Sequence, residues 1–329
     1  MFHSYLIRVN AFLEKAMPYL TPLGVAAGLA LGSRISAAAP AIVPLFALIT
    51  FSGALSMTAG EAVVVFKKPL PIVAFLLSFH VALPAAVRLA ARLLFGGNPD
   101  TVTGFVLLFA IPTAVSGYIW TGIHRGSGPL SLALILIDTL LAPFTVPATV
   151  SLFMGKAVTI DTGGLFLSLV LMVVLPSVAG VALNRLSGGE APRVLNPALK
   201  PLSKIFLTAV IAINVSRLDG KIPPLDAGFL GILAACAVFS FAGFALGRLA
   251  SPLVGLGREE TVSVTFATGM RNISAALVLA ITFFPPGAAI PVVTGILLQQ
   301  TVAALAGVGL IQKIDNRGHG AKGGPESTM

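Results

Sequence analysis

Long apolar runs, separated at fairly even intervals by one or two basic or small polar residues, occupy nearly the whole chain. A helix that crosses the hydrocarbon core of a bilayer needs about 20 mostly apolar residues, each rising about 1.5 Å. Ten runs are candidates: Tyr19–Ala37, Ala41–Val65, Leu70–Leu94, Val102–His124, Pro129–Met154, Gly163–Leu183, Leu202–Val215, Phe229–Pro252, Thr261–Phe284 and Ile290–Gln312. The seventh is the shortest. Ahead of the first, the segment from Met1 to Leu20 is interrupted by Arg8, Asn10, Glu14 and Lys15. Those interruptions leave no continuous apolar core for a cleavable leader and suit an amphipathic lead-in on the membrane surface. Residues 313–329 are Gly-rich and polar and read as a disordered cytoplasmic tail.

Composition agrees with the bilayer as solvent. Of 329 residues 56% are hydrophobic and only 10% charged, where a soluble domain carries about 25% charged residues. The net charge of +9 could serve a nucleic acid, but a nucleic-acid binder gathers its bases on one face. Here they punctuate apolar runs, as topology signals do. The one cysteine, Cys236, excludes an intrachain disulfide and carries no information on compartment.

The same bases set an orientation. With both termini cytoplasmic, 14 of the 21 Lys and Arg residues fall on inside segments and six on outside ones. That bias supports an even number of helices with both ends inside. The residue left over, Arg271, falls within the ninth span.

Two spans carry helix-breaking signals at mid-depth. The fourth contains Ile111-Pro112-Thr113-Ala114-Val115-Ser116-Gly117-Tyr118, and the ninth contains Ala267-Thr268-Gly269-Met270-Arg271-Asn272. Proline removes a backbone donor and glycine tolerates unwound backbone. A single Pro or Gly in a membrane helix commonly just kinks it. These two, however, occupy the fourth place in the first five spans and the fourth place in the second five. Two five-helix halves must insert in opposite senses, the layout of inverted-repeat transporters whose sites sit where interrupted helices meet. The expected fold is therefore an all-α membrane protein of ten transmembrane helices. One domain spans 1–312, built of repeats at about 19–154 and 163–312.

The order and spacing of several segments are similar to those of the bile acid:sodium symporter family. They are Phe12-Leu13-Glu14-Lys15-Ala16-Met17-Pro18, Arg125-Gly126 with Leu130-Ser131, Thr139-Leu140-Leu141-Ala142-Pro143, Gly269-Met270-Arg271-Asn272, Phe283-Phe284-Pro285 and Gln299-Gln300. The resemblance covers nearly the whole chain. It implies a panel domain and a core domain, discontinuous helices four and nine crossing in the core, and two sodium ions behind that crossing. It also implies a small or amphipathic organic anion, such as a carboxylate, as substrate.

The chain departs from that family where sodium would bind. The fourth-helix pair Ser-Asn is matched by Gly117-Tyr118, and the fifth-helix serine is kept as Ser131 while the threonine one turn later is Ile135. The ninth-helix glutamate is matched by Ala267, and the glutamine before the family's asparagine by Arg271. The third-helix glutamine is matched by Phe79, with His80 beside it. Hard cations need several oxygen ligands; most of the side chains that would supply them are missing, while Ser131 and backbone carbonyls such as those of Ala267, Thr268 and Met270 remain. No other cofactor is expected, and sodium itself is doubtful.

Arg271 lies about 15 Å along its helix from Thr261, close to the bilayer centre. An arginine there costs at least about 2.5–3.5 kcal/mol on insertion scales. Either it forms a buried ion pair between two helices, with Asp138 at matching depth as partner, or it faces a polar cavity as a fixed positive charge. Asn272, Ser116, Thr113, Thr268 and Ser131 are each ordinary helix-packing polar residues taken singly. As a set at the two breaks they are candidates to line a substrate site, with Arg271. Tyr118 either fills the former ion cavity or gates it. His80 relays protons or is a hydrogen-bonded core residue, and Glu61 is an interfacial charge near Lys67-Lys68. Gly24, Gly28 and Gly32 form a small-residue face for close helix packing.

No His-Glu-x-x-His, Gly-x-Ser-x-Gly or mid-depth aspartate pair points to an intramembrane enzyme. A channel or a receptor has less support than a secondary transporter, since the broken-helix layout argues against the first and no soluble domain accompanies the second. The expectation is a multi-pass, monomeric protein of the cell membrane carrying a small organic anion, with membrane lipids and no nucleic acid as partners. Its coupling is to sodium, to protons or to neither. The sharpest expectation is that the guanidinium of Arg271 stands in for a bound sodium ion.

Overall fold

The computed structural model describes residues 2–58, 69–154, 161–217 and 226–311. Glu61, Lys67, Lys68 and the 313–329 tail lie outside the described residues. Those described are helical throughout their regular structure, with no strand among them. Helix α1 is Phe2–Leu31, α2 Ile42–Ala54, α3 Pro69–Phe95, α4 Pro99–Ala110, α5 Ser116–Ile123 and α6 Gly128–Met154. They are followed by α7 Thr162–Leu186, α8 Glu190–Ser216, α9 Ala227–Leu253, α10 Arg258–Gly269, α11 Ile273–Phe283 and α12 Pro286–Ile311.

Seven helices among the described residues are long and apolar enough to cross a membrane, counting α10 and α11 as one broken span. Local chemistry sets several helix starts. Asn98, Asp161 and Asp226 accept backbone N–H bonds from Thr101, Gly164 and Phe229 and so cap α4, α7 and α9. Helix α4 stops at Ala110 because the residue before a proline is driven extended, and Ile111, before Pro112, has φ −68° and ψ 147°. A second break separates α10 from α11, where Met270 is extended with φ −86° and ψ 136° and Asn272 caps the next helix. A Cβ at Gly269 would fall on the Phe244 ring, so only glycine fits that approach.

The lead-in differs from its expected form. It is continuous with the first span in α1, which begins at Phe2 and ends at Leu31, where Gly32 takes a left-handed φ of 47°. Gly24 and Gly28 do pack closely, against Thr208 and against Ala212 and Val215 of α8, so α1 and α8 run parallel. Gly32 is no part of that face, having no neighbour within 4 Å of a Cβ built there. The broken span Arg258–Phe283 is the interior of the molecule: 83% of its apolar window is buried, against 39–56% in the other six. Its unwound backbone is therefore enclosed by protein, as backbone without helical hydrogen bonds must be at membrane depth.

Candidate functional site

The two breaks meet. The backbone N–H of Asn272 donates to the Pro112 carbonyl at 2.8 Å, and the Thr113 hydroxyl donates to the Ala267 carbonyl at 2.8 Å. Each break thus satisfies polar groups that the other leaves open. The N-termini of α5 and α11 both begin at this junction, at Ser116 and Ile273. The N–H groups of their first turns supply partial positive charge there.

Arg271 sits within the second break and is 2% exposed. Its backbone N–H donates to Gln299 Oε1 at 2.9 Å and its Nη2 donates to the Thr268 carbonyl at 3.1 Å. The guanidinium carbon lies 3.4 Å from the centroid of the Phe79 ring and 5.5 Å from that of Phe109. Such stacking attracts a cation to the ring quadrupole and is strongest when desolvated. Arg271 Nε and Nη1 are buried with no hydrogen-bond partner among the described residues.

Arg271 and Asp138 make no contact within 4 Å, although the two buried charges still attract each other at longer range. Asp138 is fully buried, and one carboxylate oxygen shares a 2.6 Å hydrogen bond with His80 Nε2. The other accepts the Thr113 backbone N–H at 2.5 Å. Physically, the carboxylate is already served by a neighbouring imidazole and by the donor freed when α4 unwinds. The π-helical turn Leu77–Ala82 within α3 carries both Phe79 and His80, so one turn supplies the face under Arg271 and the partner of Asp138. His80 Nδ1 is buried without a partner among the described residues.

Other predicted residues divide. Thr113 and Thr268 are buried at the junction, though Thr268 Oγ1 has no partner among the described residues. Asn272 uses its side-chain oxygen to cap α11 at Ala275 N. Ser116 is half-buried at the start of α5. Tyr118 is 41% exposed, with its ring beside Gly128, and does not fill an internal cavity. It lies two residues into α5, and the helix turns it outward. Ser131 accepts a hydrogen bond from the Thr121 hydroxyl at 3.2 Å. Ile135 packs with Met57 and Leu132, while Gly117 lies against Phe266 and Met270. Residues that the sequence reading left without a role include Phe79 as the guanidinium's floor, Phe109 beyond it and Gln299 at the break's backbone. The role of His80 as the partner of Asp138 carries no signal in the sequence.

Comparison with known proteins fits these features. The model of the sodium bile acid symporter family matches residues 43–221. The chain is also 39% identical to YbaS of Bacillus subtilis (strain 168), an alignment covering 88% of this chain and 95% of that protein.

The chain belongs to the sodium bile acid symporter family.

More distant relatives of this symporter-family chain carry sodium in their names. A sodium-dependent transporter, YocS of Bacillus subtilis (strain 168), is 27% identical over 68% of this chain and 64% of its own. The probable sodium/metabolite cotransporter BASS3, chloroplastic, of Arabidopsis thaliana is 24% identical over 75% of this chain and 57% of its own length. Membership makes the protein a multi-pass membrane transporter, in agreement with its apolar helices.

Proposed function

We propose that the protein is a secondary transporter of a small or amphipathic organic anion, with a tethered cation, the Arg271 guanidinium, in place of a bound sodium ion. The carrying observation is the bond from Arg271 Nη2 to the Thr268 carbonyl, with the guanidinium over Phe79. Thr268 supplies one of the carbonyls that would otherwise face sodium, and Phe79 stands where the family resemblance puts a glutamine. A second such carbonyl, that of Ala267, accepts the Thr113 hydroxyl. The residues present therefore fit sodium poorly, and no step of the transport cycle is routed through it.

In this reading ten helices form two inverted five-helix repeats in core and panel domains, with both termini cytoplasmic. The chain rocks between inward- and outward-open states around the α4–α5 and α10–α11 crossing. A carboxylate binds at the N-termini of α5 and α11, drawn by their dipoles and by the fixed positive charge of Arg271. Asn272, Ser116, Thr113 and Thr268 line the site. Tyr118, at the start of α5, stands at its mouth rather than in an ion cavity. A guanidinium cannot leave at each cycle, so transport is sodium-independent, either facilitated or driven by protons. The buried His80–Asp138 pair is the place for a proton, because its carboxylate holds the Thr113 backbone on which the first break depends.

Sodium-coupled symport is the second reading, favoured by the family and by the names of YocS and BASS3. Counterflow in proteoliposomes separates them, using a panel of radiolabelled small carboxylates with sodium or choline as the cation and with or without a pH gradient. Sodium-independent exchange of one of these acids supports the tethered cation. Exchange that requires sodium supports the symporter. Uptake restricted to cations or neutral sugars removes both.

A further inference from the structure

Helices α1 and α8 touch at Gly24 and Gly28, and nearer their N-terminal ends they border an open gap. The gap is a cavity of about 450 Å³ lined by Ile7, Asn10, Pro192, Arg193, Asn196, Pro197 and Lys200. Its chemistry is uneven in a telling way. Ile7, Pro192 and Pro197 give an apolar wall, while Arg193 and Lys200 bring two positive charges and no acid lines it. Lys204 Nζ donates to Asn10 Oδ1 at 2.6 Å, which fixes that oxygen as an acceptor and leaves the Asn10 amide N–H groups as donors. Arg193 spends one N–H on Glu190 at 2.8 Å and keeps its others. Two cations and an amide thus converge on a space with apolar sides, a pattern suited to an anion attached to something greasy.

We infer that this groove binds the headgroup phosphodiester of an anionic phospholipid. The inference rests on the membrane placement proposed above, in which the N-terminal ends of α1 and α8 lie at one interface. By sequence, Lys200 stands two residues ahead of the apolar run that begins at Leu202, at the depth where a headgroup sits. Tyr5, Phe12, Tyr19 and Leu23 are 59–77% exposed along one face of α1, so lipid covers that helix along its length. Two basic residues at a membrane surface contribute about 1 kcal/mol each towards anionic lipid, or about thirtyfold together. Free phosphate offers the same charge but no use for the apolar wall.

The test is native mass spectrometry of the purified full-length protein from mixed micelles containing phosphatidylglycerol, phosphatidylcholine or inorganic phosphate. Wild type is expected to retain phosphatidylglycerol under activation that strips phosphatidylcholine, with no retained inorganic phosphate. Arg193→Gln with Lys200→Gln should lower retention about thirtyfold. Glu190→Gln should raise it, and Arg92→Gln should leave it unchanged. Arg271→Gln should also keep the lipid, so a failure of the transport reading is separable from a failure of this one. Equal retention of the two lipids, retention surviving the double substitution, or binding of inorganic phosphate alone overturns the inference. A double variant that loses its fold is replaced by the single Lys200→Gln, expected to lose about fivefold; no loss there overturns the inference as well.

Discussion

Replacing Arg271 with methionine separates a structural cation from a functional one. Three effects compete at that site. The substitution removes the guanidinium from the Phe79 face, worth about 2 kcal/mol when desolvated. It also removes the charge-assisted bond to the Thr268 carbonyl, about 1.5–3 kcal/mol. Against these, it relieves two buried donors without partners, Nε and Nη1, at about 1–3 kcal/mol each. The sums nearly cancel, and Met is flexible enough to fill the space over Phe79. Arg271→Met should therefore change the unfolding free energy by no more than about 2 kcal/mol while abolishing binding of the carboxylate. Equilibrium unfolding in mixed dodecylmaltoside and SDS micelles, followed by the fluorescence of the single Trp120, measures the first quantity. Counterflow measures the second. A loss of about 3–5 kcal/mol, the signature of breaking a buried ion pair, would refute the reasoning.

Three further outcomes are expected. Asp138→Asn should remove any dependence of exchange on a proton gradient while sparing equilibrium binding, because the amide still accepts from Thr113 N–H; persistence of gradient-driven uptake in proteoliposomes would exclude the His80–Asp138 pair as the proton site. Asn272→Ala, which loses the cap on α11, should cost about 1 kcal/mol in the same unfolding assay and weaken substrate affinity; unchanged affinity would remove Asn272 from the binding site. Cysteine residues introduced singly near both ends of the chain should react with an impermeant thiol reagent only after the membrane is opened, and labelling of either end in intact cells would overturn the proposed orientation.

Both breaks were legible because their causes are local: Pro112 forces Ile111 extended, and the Gly269–Asn272 stretch joins a close-approach glycine to a helix-capping asparagine. The partner of Asp138 was not legible. Depth along a helix follows from residue count, which placed Asp138 level with Arg271, but direction depends on an unbroken 3.6-residue period. The π-helical turn Leu77–Ala82 adds a residue to α3 and resets which side chains face inward. His80 thereby reaches Asp138, and Phe79 reaches under Arg271. The direction of Tyr118 was hidden for a related reason: its face depends on where α5 restarts after the break, and a start at Ser116 turns it outward. Gly32 shared the spacing of Gly24 and Gly28 but stands beyond Leu31, where α1 has ended.

The claim that a tethered guanidinium has replaced the ion is tested most directly without any substrate, by equilibrium dialysis of the purified protein against radioactive sodium. Wild type is predicted to show no saturable sodium binding. The variant carrying Ala267→Glu and Arg271→Gln, which returns a carboxylate and removes the fixed charge, is predicted to gain it. Saturable, stoichiometric sodium binding by the wild-type protein would contradict the account.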